Sequence, residues 1–162
     1  MKLFVLFVLF VFTGCTPVAT YPPIENDPAL IFSDSANEPI PTVFATTLRY
    51  AHEHFGGIDT VVFRLPDGVG VETYRIVSEK LGGAVPLSTQ NETAYYITEL
   101  RKRPFRAEAD MFFPSSTGIY NQATLYLSSS LTEPWKVQRE RVWLVPVDKL
   151  PAPVFVNEKQ NP

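Results

Sequence analysis

The sequence predicts a single α+β domain in which one or two helices pack on a curved antiparallel sheet of four to five strands. Two observations lead to this prediction. Two stretches with helical spacing come first and four strand-like stretches follow, with prolines at the ends of the strand-like stretches. In addition, 15 of the 162 residues are proline, nearly twice the usual ~5%, which argues against a helical bundle.

The helical stretches are recognised by apolar spacing and by the glycines that follow them. The first places four apolar residues on one helix face: Phe44, Leu48, Ala51 and Phe55. The second does so with Tyr74, Val77 and Leu81. Paired glycines at 56–57 and 82–83 are expected to end the two helices, because glycine adopts the left-handed cap conformation without strain. Residues 58–65, between the helices, are apolar on both faces and predict a strand.

Four further strands are predicted over residues 94–102, 106–113, 121–128 and 135–145. The second is the clearest because apolar and charged residues alternate along it. Ala107, Ala109 and Met111 fall on one face, and Glu108 and Asp110 fall on the other. The predicted order is therefore helix, strand, helix and a four-stranded antiparallel meander.

The first fifteen residues have the pattern of an export signal. Met1-Lys2 gives a positive start, residues 3–12 are an unbroken apolar run, and Thr13-Gly14-Cys15 follows. Such a run fits the centre of a signal peptide and is too short to span a bilayer as a helix. The arrangement resembles the lipobox of bacterial lipoprotein precursors, with Phe12 in place of the usual leucine. The resemblance implies a signal peptide over residues 1–14 and a lipid on Cys15, which becomes the N-terminus.

A lipid on Cys15 would have chemical consequences, because this is the only cysteine of the chain. The mature protein would then have no thiol for a disulfide, a nucleophile or a zinc ligand. The lipobox resemblance also implies that the protein is located in the cell envelope. Thr16 follows the cysteine in place of the aspartate that typically marks inner-membrane retention. In a host with two membranes the outer membrane is therefore expected.

Three segments are predicted after the signal peptide. Residues 15–41 are rich in proline and acidic residues and contain no lysine or arginine, so we expect a tether that could reach roughly 80 Å when extended. Residues 42–150 form the single α+β domain, in which acidic and basic side chains balance. Residues 151–162 are expected to be a disordered tail. The net charge of −3 gives no indication of nucleic-acid binding.

Basic residues cluster at the predicted turn between the first two strands of the meander. We regard four of them as candidate anion-binding residues: Arg101, Lys102, Arg103 and Arg106. Arg139 and Arg141 are expected nearby. Such a cluster could bind anionic lipid headgroups or a cell-wall polymer. The alternative is a solvated turn whose charges protect the sheet from aggregation.

Residues suited to catalysis are few. His52 and His54 are the only histidines, and on a helix their side chains point about 200° apart, so they cannot chelate one ion together. The chain also lacks the Gly-x-Ser-x-Gly motif of a serine nucleophile. We therefore assign no catalytic residue, no metal site and no cofactor.

Helices followed by a meander resemble the cystatin-like and nuclear-transport-factor-like α+β group, which includes both pocketed enzymes and structural modules. Two functions therefore stay open. The first is a non-catalytic envelope lipoprotein, a binding or assembly module whose partners are the membrane and an envelope protein or cell-wall polymer. The second is a small pocketed hydrolase or isomerase that uses acid–base chemistry of Asp or Glu, with Asp110 as an example.

Overall fold

The computed structural model describes residues 19–24, 34–56, 58–89, 92–115, 117–143, 145, 147 and 149–153. Within these ranges the elements are β1 (Ala19–Tyr21), α1 (Ile40–Phe55), β2 (Val62–Arg64), α2 (Val71–Lys80), β3 (Val85–Pro86), β4 (Tyr95–Arg103), β5 (Arg106–Pro114), β6 (Tyr120–Ser128) and β7 (Lys136–Trp143). Neither of these helices is long and apolar enough to cross a bilayer. Cys15 and the predicted signal peptide lie outside the described residues.

All of these strands belong to one open, mixed sheet. From β4 to β7, neighbouring strands are antiparallel, as the sequence predicts for the meander. β2 pairs in parallel with both β3 and β4, and β1 pairs antiparallel with β4. The predicted class, with helices packed on a sheet, is confirmed. The predicted number of four to five strands is too low, because β1 and β3 have only three and two residues, too few to show a periodic pattern. The sheet is mixed and not wholly antiparallel, because β2 runs parallel to both of its neighbours.

The helices cover one face of the sheet, which we call the inner face. Phe44 and Leu48 of α1 are fully buried there and belong to the same apolar cluster as Ala107, Ala109 and Met111 of β5. Successive side chains of a strand point to opposite faces, so the charged residues between these three lie on the other, outer face. The alternation predicted for β5 is thus confirmed.

The helix boundaries follow from proline and glycine. α1 begins at Ile40, before the first residue of the predicted apolar face, because Pro41 is tolerated in the first turn of a helix. It ends at Phe55, and the following Gly56 caps it with a positive φ of 64°, which suits glycine. After α2, the N–H of Gly83 donates to the carbonyl oxygen of Ser78 over 2.9 Å and closes the last turn.

The structure differs from the predicted tether over its described parts. β1 is buried, and the ring of Tyr21 lies 6.2 Å from that of Phe44 in the core. Further along, the buried side chain of Ser35 lies 2.7 Å from the Thr73 hydroxyl of α2. Residues 25–33 lie outside the described part of the chain.

The reason for this difference lies in β4, which is longer than its neighbour β2. β2 pairs only with the start of β4, at Tyr95 and Tyr96. Further along the same edge, the backbone from Leu100 to Lys102 is free to pair, and β1 occupies it. Unpaired edge backbone is a ready template for another strand, and three residues are enough to fill this gap.

The described start of the predicted tail is also held by hydrogen bonds. The Nε atom of Arg64 on β2 donates to the carbonyl oxygen of Ala152 over 2.7 Å. The Nη2 atom of the same side chain pairs with Asp67 at 2.6 Å. Residues 151–153 therefore lie against β2, whereas the sequence predicts disorder from Pro151 onwards.

Candidate binding site

The outer face of the meander carries polar, charged and aromatic side chains in rows that cross the strands. Residues directly opposite each other on antiparallel strands share a face, so the register fixes each row. Three rows run from β4 to β7: Glu99, Asp110, Thr124 and Arg141; then Arg101, Glu108, Tyr126 and Arg139; then Arg103, Arg106, Ser128 and Lys136. The third row lies beside the turn between β4 and β5.

Arg101, one of the four candidate anion-binding residues, is already surrounded by carboxylates. Its guanidinium nitrogens lie 2.7 Å from Glu99, 2.9 Å from Asp110 and 3.5 Å from Glu108. Burial acts to lower the pKa of Arg101, but the hydrogen bonds with Glu99 and Asp110 outweigh it and raise that pKa. The charge of Arg101 is thus neutralised within the sheet and is not available to an external anion.

Lys102 is the second candidate that the structure places elsewhere. It points to the inner face, opposite Ala19 on one side and Ala107 on the other, and is only 9% exposed. Burial lowers the pKa of its ammonium group, because the charged form loses solvation. Lys102 therefore does not share a surface with the other candidates.

The remaining candidates, Arg103 and Arg106, line an open groove together with Arg139 of β7. We call it the basic groove; its volume is about 600 Å³, and it is also lined by Ala107, Glu108, Tyr126, Leu127, Ser128 and Gln138. The guanidinium carbon of Arg139 lies 4.1 Å from the centroid of the Tyr126 ring. Among the described residues, no carboxylate forms an ion pair with any of the three arginines.

Arg141, which the sequence also places near the cluster, lies in the first of the three rows. Its guanidinium carbon is 3.7 Å from the centroid of the Trp143 ring. The structure thus brings Arg139 into the groove and keeps Arg141 outside it. The sequence did not single out Tyr126, although the alternation of residues 121–128 puts it on the polar face of its strand.

A second groove adjoins the first at the tips of two turns. Its volume is about 480 Å³, and it is lined by Phe105, Arg106, Ser128, Ser129, Ser130 and Leu131. The N–H of Ser129 donates to the carbonyl oxygen of Phe105 over 3.1 Å and ties the two turns together. We call this part of the sheet, with the turns at 104–105 and 129–135, the hairpin end. Phe105 and Leu131 were not singled out, because single apolar residues in turns carry no periodic signal.

The groups considered for acid–base chemistry do not meet. Asp110 lies on the outer face, where it accepts a hydrogen bond from Thr124 at 2.6 Å and one from Arg101 at 2.9 Å. His52 lies on α1, across the sheet, with its ring 6.2 Å from that of Tyr95. The helix points the histidines apart, as the sequence predicts, and His54 stacks on a different residue.

The arrangement is suited to holding an anion. Arginine offers planar, forked donors that match carboxylate and phosphate groups. The described residues include no group of three or more His, Cys, Asp or Glu side chains placed to hold a metal ion.

Searches among protein-family models, curated proteins and solved structures found no match to this chain.

Proposed function

We propose that this chain is a lipid-anchored protein of the bacterial cell envelope that acts as a non-catalytic binding or assembly module. The observation that carries the proposal is the basic groove. Arg103, Arg106 and Arg139 face one open groove, and the described carboxylates pair with none of them. An anionic group at the envelope surface, on a lipid headgroup, an envelope protein or a cell-wall polymer, would supply the missing partner.

The register of the hairpin supports this interpretation. Arg103 and Arg106 stand directly opposite each other on β4 and β5. Like charges in this position destabilise a sheet. A bound anion would offset this repulsion, whereas Arg101, two residues earlier, is already neutralised by carboxylates of the sheet itself.

The anchor is proposed from the sequence. Thr13-Gly14-Cys15 follows an apolar run in the manner of a lipobox, so signal peptidase would leave Cys15 as a lipidated N-terminus. We place the protein in the cell envelope and, in a host with two membranes, on the outer one, because Thr16 follows the cysteine. We propose no cofactor and no nucleic-acid partner.

The competing function, a small hydrolase or isomerase, needs an acid that is free to exchange a proton with a substrate in a pocket. Both carboxylate oxygens of Asp110 are engaged, one by Arg101 and one by Thr124. This arrangement weighs against Asp110 as that acid, and we therefore favour the binding module.

The anchor is tested by intact mass spectrometry of the protein extracted from membranes. We expect a chain that begins at Cys15 and carries the added mass of acyl groups. Cys15→Ser removes the modified sulfur, so this variant should lose its membrane retention. Equal retention of the variant and the unchanged protein would contradict the anchor.

The binding function is tested by photo-crosslinking in intact cells. A photoreactive residue at Gln138, which lines the basic groove, should form a discrete adduct. The matched control is Glu53, which is exposed on α1 on the opposite side of the molecule. Arg139→Glu should abolish the adduct at Gln138. Adducts of equal yield at both positions, or none at Gln138, would argue against a binding site in the groove.

A further inference from the structure

We infer that the hairpin end of the sheet rests on the membrane in which Cys15 is anchored. In this orientation Phe105 and Leu131 enter the interfacial layer of the bilayer, and Arg103 and Arg106 contact anionic lipid headgroups. The inference rests on the proposed lipid anchor and adds to it the surface of the domain that meets the lipid.

The first argument is the point at which the chain leaves the sheet towards Cys15. Ala19, the first residue of β1, pairs with Lys102 of β4, two residues before the β4–β5 turn. Cys15 precedes Ala19 by four residues, and a chain of that length spans at most about 14 Å. The anchor would therefore hold the hairpin end next to the bilayer. A 27-residue tether, in contrast, would let the domain move roughly 80 Å away from the membrane.

The second argument is the apolar surface at this end. Phe105 is 51% exposed and Leu131 is 92% exposed, although both are large and apolar. Exposed apolar residues are common when they are scattered singly, but these two line one groove and their turns are joined by a hydrogen bond. Such side chains enter the boundary between headgroups and acyl chains when a surface of this kind binds a membrane.

The third argument is the charge beside these tips. Arg103 and Arg106 close the β4–β5 turn, and no described carboxylate pairs with either of them. The acidic residue of the neighbouring turn, Glu133, is bound to Lys136 at 2.8 Å. Together with the flanking Arg103, Arg106 and Lys136, these two turns carry a net positive charge, which complements the anionic lipids of a membrane surface.

The opposite end of the sheet provides an internal comparison. The β5–β6 turn there also carries an exposed apolar residue, Ile119, at 52%. Its described neighbours in the turn, Ser115, Thr117 and Gly118, are uncharged. Nor does the chain leave β1 towards Cys15 at that end. Ile119 is therefore a matched control for Phe105.

The experiment uses the full, lipidated chain in vesicles of phosphatidylglycerol and phosphatidylcholine. Because Cys15 is the only cysteine and its sulfur would carry lipid, a cysteine introduced at Phe105→Cys, Leu131→Cys or Ile119→Cys can be labelled alone with a fluorophore. Quenching by brominated lipid then reports which label contacts the bilayer. We expect quenching at positions 105 and 131 to exceed that at 119 by at least about threefold.

The charge contribution is tested with two exposed arginines that lack a described carboxylate partner. Arg106→Glu, at the hairpin end, should lower the quenching at position 131 by about half on anionic vesicles. Arg141→Glu changes the net charge equally, but it lies two rows away and should leave the quenching unchanged.

Intact mass of the same preparations separates the two proposals. Acylated protein whose labels at 105 and 131 are quenched no more than the label at 119 would overturn the membrane-facing hairpin end and leave the anchor in place. Equal quenching at all three positions would also overturn the membrane-facing hairpin end, because it shows that neither end of the sheet contacts the bilayer preferentially. Absence of any acyl mass would overturn the anchor and, with it, the inference drawn from it.

Discussion

The hydroxyl of Tyr74 makes both of its hydrogen bonds to the backbone of Leu65. The N–H of Leu65 donates to this hydroxyl over 2.9 Å, and the hydroxyl donates to the carbonyl oxygen of Leu65 over 3.2 Å. Both residues are buried, and burial raises the pKa of Tyr74. The pair joins the end of β2 to α2, and so holds the helix on the inner face of the sheet.

Tyr74→Phe should lower the free energy of unfolding by about 1–3 kcal/mol, because the buried N–H of Leu65 loses its acceptor. Urea unfolding followed by circular dichroism would measure the loss. Tyr126→Phe is the control, since the Tyr126 hydroxyl has no hydrogen bond within the described structure; it should cost less than about 0.5 kcal/mol. Equal effects of the two substitutions would contradict the role of the Tyr74 hydroxyl.

Tyr21→Ala distinguishes a strand in the core from a loose tether. Tyr21 is 4% exposed and belongs to the main apolar cluster, so its truncation should cost about 3 kcal/mol or more. Ile24→Ala, three residues later at a position 54% exposed, should cost less than about 0.5 kcal/mol. Thermal unfolding of both variants gives the comparison. If the Tyr21→Ala variant were as stable as the unchanged protein, the result would support the loose tether predicted from the sequence.

Removal of the Arg101 side chain should lower the stability of the fold more than removal of the Arg106 side chain, although both were candidate anion-binding residues. Arg101→Ala leaves Glu99, Glu108 and Asp110 facing one another without a cation, and we expect a loss of about 1–3 kcal/mol. Arg106→Ala removes a side chain with no described ion pair and should change stability by less than about 0.5 kcal/mol. Denaturant titrations measure both values. The reverse order would mean that Arg101 is not neutralised within the sheet.

The stability of the fold should decline in alkaline solution because of buried tyrosines, Tyr95 and Tyr96 among them. Burial raises the pKa of Tyr95 from 10.0 to about 12, and burial with the neighbouring Tyr120 raises that of Tyr96 to about 12. The unfolded chain loses these protons near pH 10, before the folded chain does. The stability that the neutral rings contribute is thus complete below about pH 10 and is lost as the pH rises towards about 12.

Unfolding in urea at about pH 8 and pH 11 tests this decline. Tyr95→Phe removes one of the tyrosines that titrate in this range, and the variant should therefore lose less stability between the two pH values. The Tyr95 hydroxyl also donates to Gly56 at 2.6 Å, a bond lost in the variant at every pH, so the difference between the two pH values is the relevant quantity. An unchanged difference would exclude Tyr95 from the alkaline transition.

Local patterns predicted most of the fold. The alternation of Ala107, Ala109 and Met111 identified β5, because a strand with one buried face has a period of two. β1 escaped prediction because it has only three residues, stands next to Pro22, and pairs with residues some eighty positions later. Such a pairing depends on the unfilled edge of β4, which no local pattern records.

The candidate site was predicted only as a group of neighbours along the chain. Spacing brought Arg103 and Arg106 together, since both flank a short turn. The carboxylates that contact Arg101 lie on the neighbouring strand β5 and on β4 itself. Which of them come within reach therefore depends on the register of the sheet. The inward direction of Lys102 depends on that register as well, because moving a strand by one residue exchanges its faces.

The position of β1 determines how the protein would carry a pull exerted through the lipid anchor that we propose at Cys15. β1 enters the sheet at Ala19, beside the turn, and runs away from it along β4. Tension applied through Cys15 would act along the strand axis, so the backbone hydrogen bonds between β1 and β4 would bear the load together, in shear, and would not open one after another. Unfolding under such tension would then begin with the sliding of these three residues out of the sheet and with the loss of the contact between Tyr21 and Phe44 of α1.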